Sequence, residues 1–210
     1  MRDLTELETE EIVPDPVALL ESMRAVGYTA DSAIADLIDN SISARASVID
    51  VEYDAMHRPF VAILDNGDGM TPEQLRVAMR HGSRNPSGVR DAHDLGRFGL
   101  GLKTASLSQC RHLTVVTKRD GLISALKWDL DVVATTGKWL VVVPAFNEIS
   151  ELPLHDRLTS FKSGTLVIWH ALDRLAAGSA DVGREMTAKF SGLREHLALV
   201  FHRFTASEGR

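Results

Sequence analysis

Cysteine is almost missing from this chain: one in 210 residues, Cys110, so no internal disulfide can form. That usage fits a reducing compartment, and Cys110 reads as a small buried apolar residue after a helix rather than a nucleophile. Basic charge is also in deficit. The net charge of -6 excludes a protein that coats nucleic acid by bulk charge, though not a local basic patch. No apolar run approaches the ~20 residues of a membrane span, and Met1 to Glu11 is acidic, the opposite of a secretory signal. A cytoplasmic protein that avoids membranes is expected. There is no internal repeat or low-complexity tract. The apolar and charged fractions, 44% and 25%, are those of an ordinary globular chain, and the length suits one domain with a full core.

The pattern along the chain predicts a charged lead-in over 1–14 and a domain over 15–206. Asp15-Pro16 is an N-cap with proline at the first helical position. Val17, Leu20, Met23 and Val26 follow at helical spacing, and Gly27 stops the run. A second helix is expected from about Asp31 to Ala44, with Ile34, Leu37, Ile38 and Ile42 on one arc and Asp36, Asp39, Asn40 and Ser43 on the other. Strands are expected over 48–53 and 60–64, the second apolar throughout, as in a strand covered on both faces. Thr71-Pro72-Glu73-Gln74 is a capping box. Residues from about 80 to 98 lack a period and read as a lid, and a helix is expected from Gly101 to Gln109. Strands follow over 113–118 and 122–128 around an Arg119-Asp120-Gly121 hairpin, then over 139–143 and 165–169. A connecting excursion is expected over 144–162. One long helix is expected over 182–204, with Met186, Phe190, Leu193, Leu197, Val200 and Phe204 on its stripe. Helices mostly first and strands later imply an α+β fold: a mixed, mostly antiparallel sheet with helices on one face.

Three segments carry chemistry. Asp36 and Asn40 lie four residues apart, hence on one helical face. An amide oxygen is a hard ligand for Mg²⁺, and a carboxylate one turn away can orient a water toward a phosphate. Asp65-Asn66-Gly67-Asp68-Gly69-Met70 sets an acid after a buried strand, in a turn whose glycines permit close approach to a ligand. Asp65 is placed to accept a hydrogen bond from the exocyclic amine of adenine. A calcium loop fails at its ends, where Leu64 and Leu75 stand in place of acids. Gly96-Arg97-Phe98-Gly99-Leu100-Gly101-Leu102-Lys103 offers bare N–H groups beside a helix start, and Lys103 adds a point charge for phosphate. Thr165, after Ser163-Gly164, can bond Asp65, a water or the adenine.

The order of these segments resembles the GHKL superfamily, named for gyrase, the heat-shock chaperone, histidine kinases and MutL, over roughly residues 15–170. The run from Gly99 to Ser106 looks closest to the MORC-like and bacterial stand-alone members. The resemblance implies a two-layer sandwich of the Bergerat type that binds ATP with Mg²⁺. It implies Asn40 as the metal ligand and Asp65, Gly67, Gly69 and Met70 as the adenine motif. It places Gly96, Phe98, Gly99, Leu100 and Gly101 at the phosphates, and Thr165 in the last motif. Asp36 and Lys103 are the expected catalytic pair. Asp36 stands where gyrase, MutL and the heat-shock chaperone have a Glu, one methylene longer, so slow hydrolysis is expected. ATP-driven lid closure and dimerisation with a second copy are expected too, as is a downstream domain that would bring DNA or a protein client to what reads as an N-terminal module. The alternatives are kinase-type phosphoryl transfer and a nucleotide switch that does not hydrolyse. Arg76, Arg80, Arg84, Arg90 and Arg97 gather around the lid, where they read as solvated surface or ATP contacts before a DNA patch. His81 and His93 read as loop residues, and Trp128, Trp139 and Trp169 as core.

Overall fold

Alternate residues of the apolar strands divide between two faces of a single sheet. The computed structural model describes residues 8, 10, 12–25, 27–56, 58–81, 101–175 and 181–201. Within them, β1 (Ile49–Asp54), β2 (Phe60–Asp65), β3 (His112–Arg119), β4 (Leu122–Asp129) and β5 (Gly164–His170) form an open sheet in the order β1-β2-β5-β3-β4. Every pairing is antiparallel. Val61, Ile63, Leu113, Val115, Val167 and Trp169 point to the larger core, and Ala62, Leu64, Val116, Leu166 and Ile168 to the smaller. This is the expected α+β class, with most of the helices on one face of the sheet.

The larger core lies under α1 (Pro16–Arg24), α2 (Ala30–Ser43), α3 (Pro72–Met79), α4 (Gly101–Leu107), α5 (Leu130–Thr136), α8 (Val182–Phe190) and α9 (Leu193–Val200). Their starts obey the signals in the chain. The Asp15 carboxylate accepts from Ala18 N at 2.7 Å, Thr29 Oγ1 from Ser32 N at 3.2 Å, and Thr71 and Gln74 form the reciprocal capping box. Arg24 ties α1 down from inside: only 3% exposed, it donates to the Leu107 carbonyl at 2.7 Å and to Asp173 at 2.5 Å. The smaller core is closed by α6 (Phe146–Ser150) and α7 (His155–Ser160) through Ile149 and Leu158, so the 144–162 excursion supplies cover for the second face.

Two expected elements differ. Residues 139–143 are not a strand; they meet the sheet through one bridge, Lys127 to Val142. The Asp129 carboxylate accepts from Asp131 N and Val132 N, which starts α5 and carries the chain off the sheet edge until Gly137 ends the helix at φ +61. The long C-terminal helix is two helices, broken at Ser191-Gly192. A glycine in mid-helix costs about 1 kcal/mol, and the break lets Phe190, Leu193 and Phe201 all reach the core, while Val200 is left 46% exposed.

Candidate functional site

The strand register brings one polar row to one end of the sheet. Asp65 on β2 is opposite Thr165 on β5, and Thr165 is opposite Thr117 on β3. Asp65 is 5% exposed, and both oxygens of its carboxylate accept hydrogen bonds. Oδ1 accepts from Gly67 N at 2.9 Å and Thr165 N at 3.2 Å; Oδ2 accepts from Ser41 Oγ at 2.9 Å. Burial raises the Asp65 pKa, the three hydrogen bonds work against that, and Asp68 adds to the rise.

The turn after Asp65 is stitched to the exit of α2. Asn66 Oδ1 accepts from Ser47 N at 2.8 Å and Val48 N at 2.9 Å, and Asp68 N donates to the Ala44 carbonyl at 2.9 Å. Arg45 pairs with Asp68 at 2.5 Å. Met70 N donates to Thr117 Oγ1 at 2.8 Å, which in turn donates to the Gly164 carbonyl at 3.1 Å. The glycines of this turn are packed against protein backbone. Gly69 sits at φ +63, and a Cβ there would lie 2.1 Å from the Lys118 carbonyl oxygen; one on Gly164 would lie 2.1 Å from that of Asp65.

α2 leads from this row along the helical layer. Asp36 and Asn40 are half-buried on its outer arc, and Asp39 is exposed, its pKa raised by burial and then by the Asp36 charge. Tyr28 stands just ahead of the α2 cap; burial first, then the Asp36 carboxylate, raises its phenol pKa. Asp36 and Asn40 are hard oxygen donors on one reachable face, a donor set that fits Mg²⁺ held with water and phosphate.

Gly101 opens α4, as expected, but Lys103 is turned inward. It is 1% exposed, and its ammonium donates to the Ala78 carbonyl at 2.5 Å. The neighbouring Met79 carbonyl accepts from Trp128 Nε1 at 2.9 Å. The open phosphate-facing position expected for Lys103 is therefore not the one this structure describes. His81 is packed against the rings of Trp128 and Trp139, at 4.9 and 5.5 Å, rather than held in a solvated loop; burial and then Lys103 lower its pKa to about 4. Gly96, Phe98, Gly99 and Leu100 lie outside the described residues, with His93, Arg84, Arg90 and Arg97. Among the described residues the group best disposed to hold a metal by side chains alone is His112, Asp129 and Asp131, at the opposite end of the sheet from Asp65. Arg111 and Lys127 already neutralise its two acids, at 2.7 Å each.

Three residues of this constellation escape a reading of the sequence. Ser41 had a signal: it continues the Ile34, Leu37, Ile38 spacing, and so places a hydroxyl on the apolar arc of α2. Thr117 closes the apolar run of β3 and is 0% exposed. Tyr28 carries no local pattern.

Residues 28–165 match the family model described as histidine kinase-, DNA gyrase B-, and HSP90-like ATPase. The chain belongs to this ATPase family. Membership supports ATP binding and ATPase-type chemistry, and the GHKL resemblance is borne out. Among curated relatives, the ATPase morc-1 of Caenorhabditis elegans is 35% identical over 45% of this chain and 11% of its own length. The ATPase MORC2B of Mus musculus is 27% identical over 65% of this chain and 14% of its own. The DNA mismatch repair protein MutL of Shewanella oneidensis is 31% identical over 51% of this chain and 17% of its own. The chain thus spans less than a fifth of the length of these relatives. No helix among the described residues is long and apolar enough to cross a membrane.

Proposed function

We propose that this GHKL module binds ATP with Mg²⁺ across the outer arc of α2 and the 65–70 turn, and hydrolyses it slowly. The observation that carries the reading is the buried Asp65 carboxylate, held by Ser41, Gly67 and Thr165 in a chain of an ATPase family. Oδ2 carries one hydrogen bond from protein and has lone-pair capacity left for the adenine amine. Met70 and Thr165 flank the base, and Gly67 and Gly69 shape the turn beneath it.

Asn40 would hold the metal, which when bound neutralises phosphate charge. Asp36 would orient a water for in-line attack: the water oxygen bonds to the γ-phosphorus, the β–γ bridging bond breaks, ADP leaves, and the water's proton passes to the carboxylate or to solvent. Gly96, Phe98, Gly99, Leu100 and Gly101 would wrap the phosphates with backbone N–H groups. For Lys103 to join them, its ammonium must exchange the Ala78 carbonyl for a phosphate oxygen, so we assign it to a closed, ATP-bound state. Closure of the lid and pairing with a second copy belong to the same proposal. So does delivery of DNA or a protein client by further domains, suggested by the name of the DNA mismatch repair protein MutL and by exposed Arg76 and Arg80.

Calorimetric titration with ATP, with and without Mg²⁺ and against GTP, tests binding; adenine-selective, Mg²⁺-enhanced binding is the expected result. Asp36→Asn tests the chemistry. Loss of a positioned acid lowers turnover by about 100-fold or more, while the dissociation constant for ATP stays within a fewfold. Turnover unchanged by Asp36→Asn would leave Asp36 without a role in hydrolysis, and no turnover in the parent chain would favour the switch.

A further inference from the structure

A second concave site lies at the far end of α2 from Asn40. Arg24, Tyr28, Asp31, Gln109, Arg174 and Lys189 contribute to the wall of a cavity of about 600 Å³, where α1, the start of α2, the exit of α4 and α8 converge. Asp31 and Asn40 are nine residues apart on α2, about 14 Å along its axis. Opposite charges line this cavity without pairing. The buried Arg24 is spent on the Leu107 carbonyl, Glu21 and Asp173. Arg174 gives one N–H to Glu21 at a long 3.4 Å, and Lys189 gives one to the Leu175 carbonyl at 2.5 Å, so both keep donors in hand. Asp31 has no hydrogen bond or ion pair with any described residue; its Oδ1 is closed off from solvent, which leaves Oδ2 as the reachable oxygen. Gln109, 4% exposed, adds a second acceptor. Its Nε2 donates to the Tyr28 carbonyl at 2.9 Å and to Ser108 Oγ at 2.9 Å. A carbonyl only accepts, so the amide nitrogen is fixed on that side and Oε1 is left over.

We propose that this cavity binds a small peptide zwitterion, whose ammonium is taken by Asp31 and Gln109 Oε1 and whose carboxylate is taken by Arg174 and Lys189. Charges of opposite sign held apart across a concave site match a guest that carries both signs. A purely anionic guest would leave Asp31 uncompensated, and a purely cationic one would face Arg174 and Lys189. Two residues separate terminal charges by up to ~7 Å, which suits groups set on different elements. The site stands apart from the nucleotide motifs and does not depend on what Asp36 does.

The probe is glycylglycine, titrated into the isotope-labelled chain and followed by amide NMR. Saturable shifts should gather at Gly27, Asp31, Gln109 and Lys189, with Asp65, Gly67 and Gly69 unmoved. N-acetylglycylglycine and glycylglycinamide each lack one terminal charge and should bind about tenfold more weakly or worse. Asp31→Asn should abolish the advantage of glycylglycine over the acetylated form, and Arg174→Gln its advantage over the amide. Saturating ATP should not displace the dipeptide. The absence of saturable shifts at these residues overturns the site, as do capped forms that bind the parent as well as glycylglycine does. Displacement by ATP would put the dipeptide in the nucleotide pocket and overturns it too. The capped probes are read on the parent chain, so the outcome stands even where a variant fails to fold.

Discussion

Asp65→Asn should separate nucleotide affinity from stability: about 100-fold weaker ATP binding from a protein that is at least as stable near neutral pH. The amide keeps one oxygen, which Gly67 N and Thr165 N will claim, since Asp65 Oδ1 accepts both. The amide nitrogen then takes the place of Oδ2, beside Ser41 Oγ, which can turn to accept from it. An adenine amine arriving there meets a donor instead of an acceptor. Losing a hydrogen bond to a charged group and leaving a donor unpaired costs about 3 kcal/mol, or roughly 100-fold in affinity. Stability moves the other way because burial dominates at this carboxyl and raises its pKa. Such a group stabilises the fold fully at pH below its unfolded pKa, and that contribution is lost as pH rises through the raised folded value. The variant therefore gains on the parent above the folded pKa, and the gain vanishes on acidification. ATP affinity of the parent, which needs the ionised form, falls on acidification from above the ordinary carboxylate range. Calorimetry and thermal melts across pH check both halves. Equal ATP affinity in parent and variant would remove Asp65 as the adenine reader.

Gly164→Ala should be among the most damaging single changes in the described part of the chain. The new Cβ would sit 2.1 Å from the Asp65 carbonyl oxygen, with the Asp65 carbonyl carbon at 3.2 Å and the Asn66 Cα at 3.3 Å. All three are backbone, so no side-chain rotation relieves the contact, and β2 and β5 must part at the end of the sheet that carries the site. The expected cost is about 3 kcal/mol or more, a fall in thermal midpoint of roughly 10 °C for a chain of this size. Nucleotide affinity should fall with it, because the Thr165 N to Asp65 hydrogen bond spans the same junction. Gly137→Ala is the control: Gly137 has φ +61, but a Cβ there meets nothing within 4 Å. It should cost only the backbone penalty of about 1 kcal/mol and leave ATP binding intact. Similar losses for the two variants would mean that β2 and β5 can separate cheaply at Gly164.

The two glycine positions show where sequence reading works and where it stops. The motif with Gly67 and Gly69 was legible from residue type and spacing, because such turns have a short-range signature. The reason for Gly69 and Gly164 was not, since it depends on Lys118 and Asp65 backbone arriving from other strands. The caps at Asp15, Thr29 and Thr71 are satisfied within three residues, and those helices start where the sequence puts them. The bend at 191–192 and the departure of 139–143 from the sheet were hidden for the opposite reason: periodicity continues through both, and what ends the element is a glycine inside the stripe or a cap at Asp129 whose consequence plays out along the following helix. Lys103 is the sharpest case. A lysine after three glycines reads as a phosphate ligand, and nothing in the local sequence foretells that its ammonium donates to the Ala78 carbonyl of α3.

That knot at the end of α3 also gives the molecule an optical gauge. Trp128 and Trp139 stand edge to face at 6.2 Å, His81 lies against both, and Trp128 is bonded to the same helix end that holds Lys103. The remaining tryptophan, Trp169, is sealed at 0% exposure. Emission from the pair is tied to the seating of one lysine, whereas emission from Trp169 serves as the constant background. A nucleotide that draws Lys103 away from Ala78 would thus announce itself in the unlabelled protein as a change in quenching, on the timescale of the rearrangement itself.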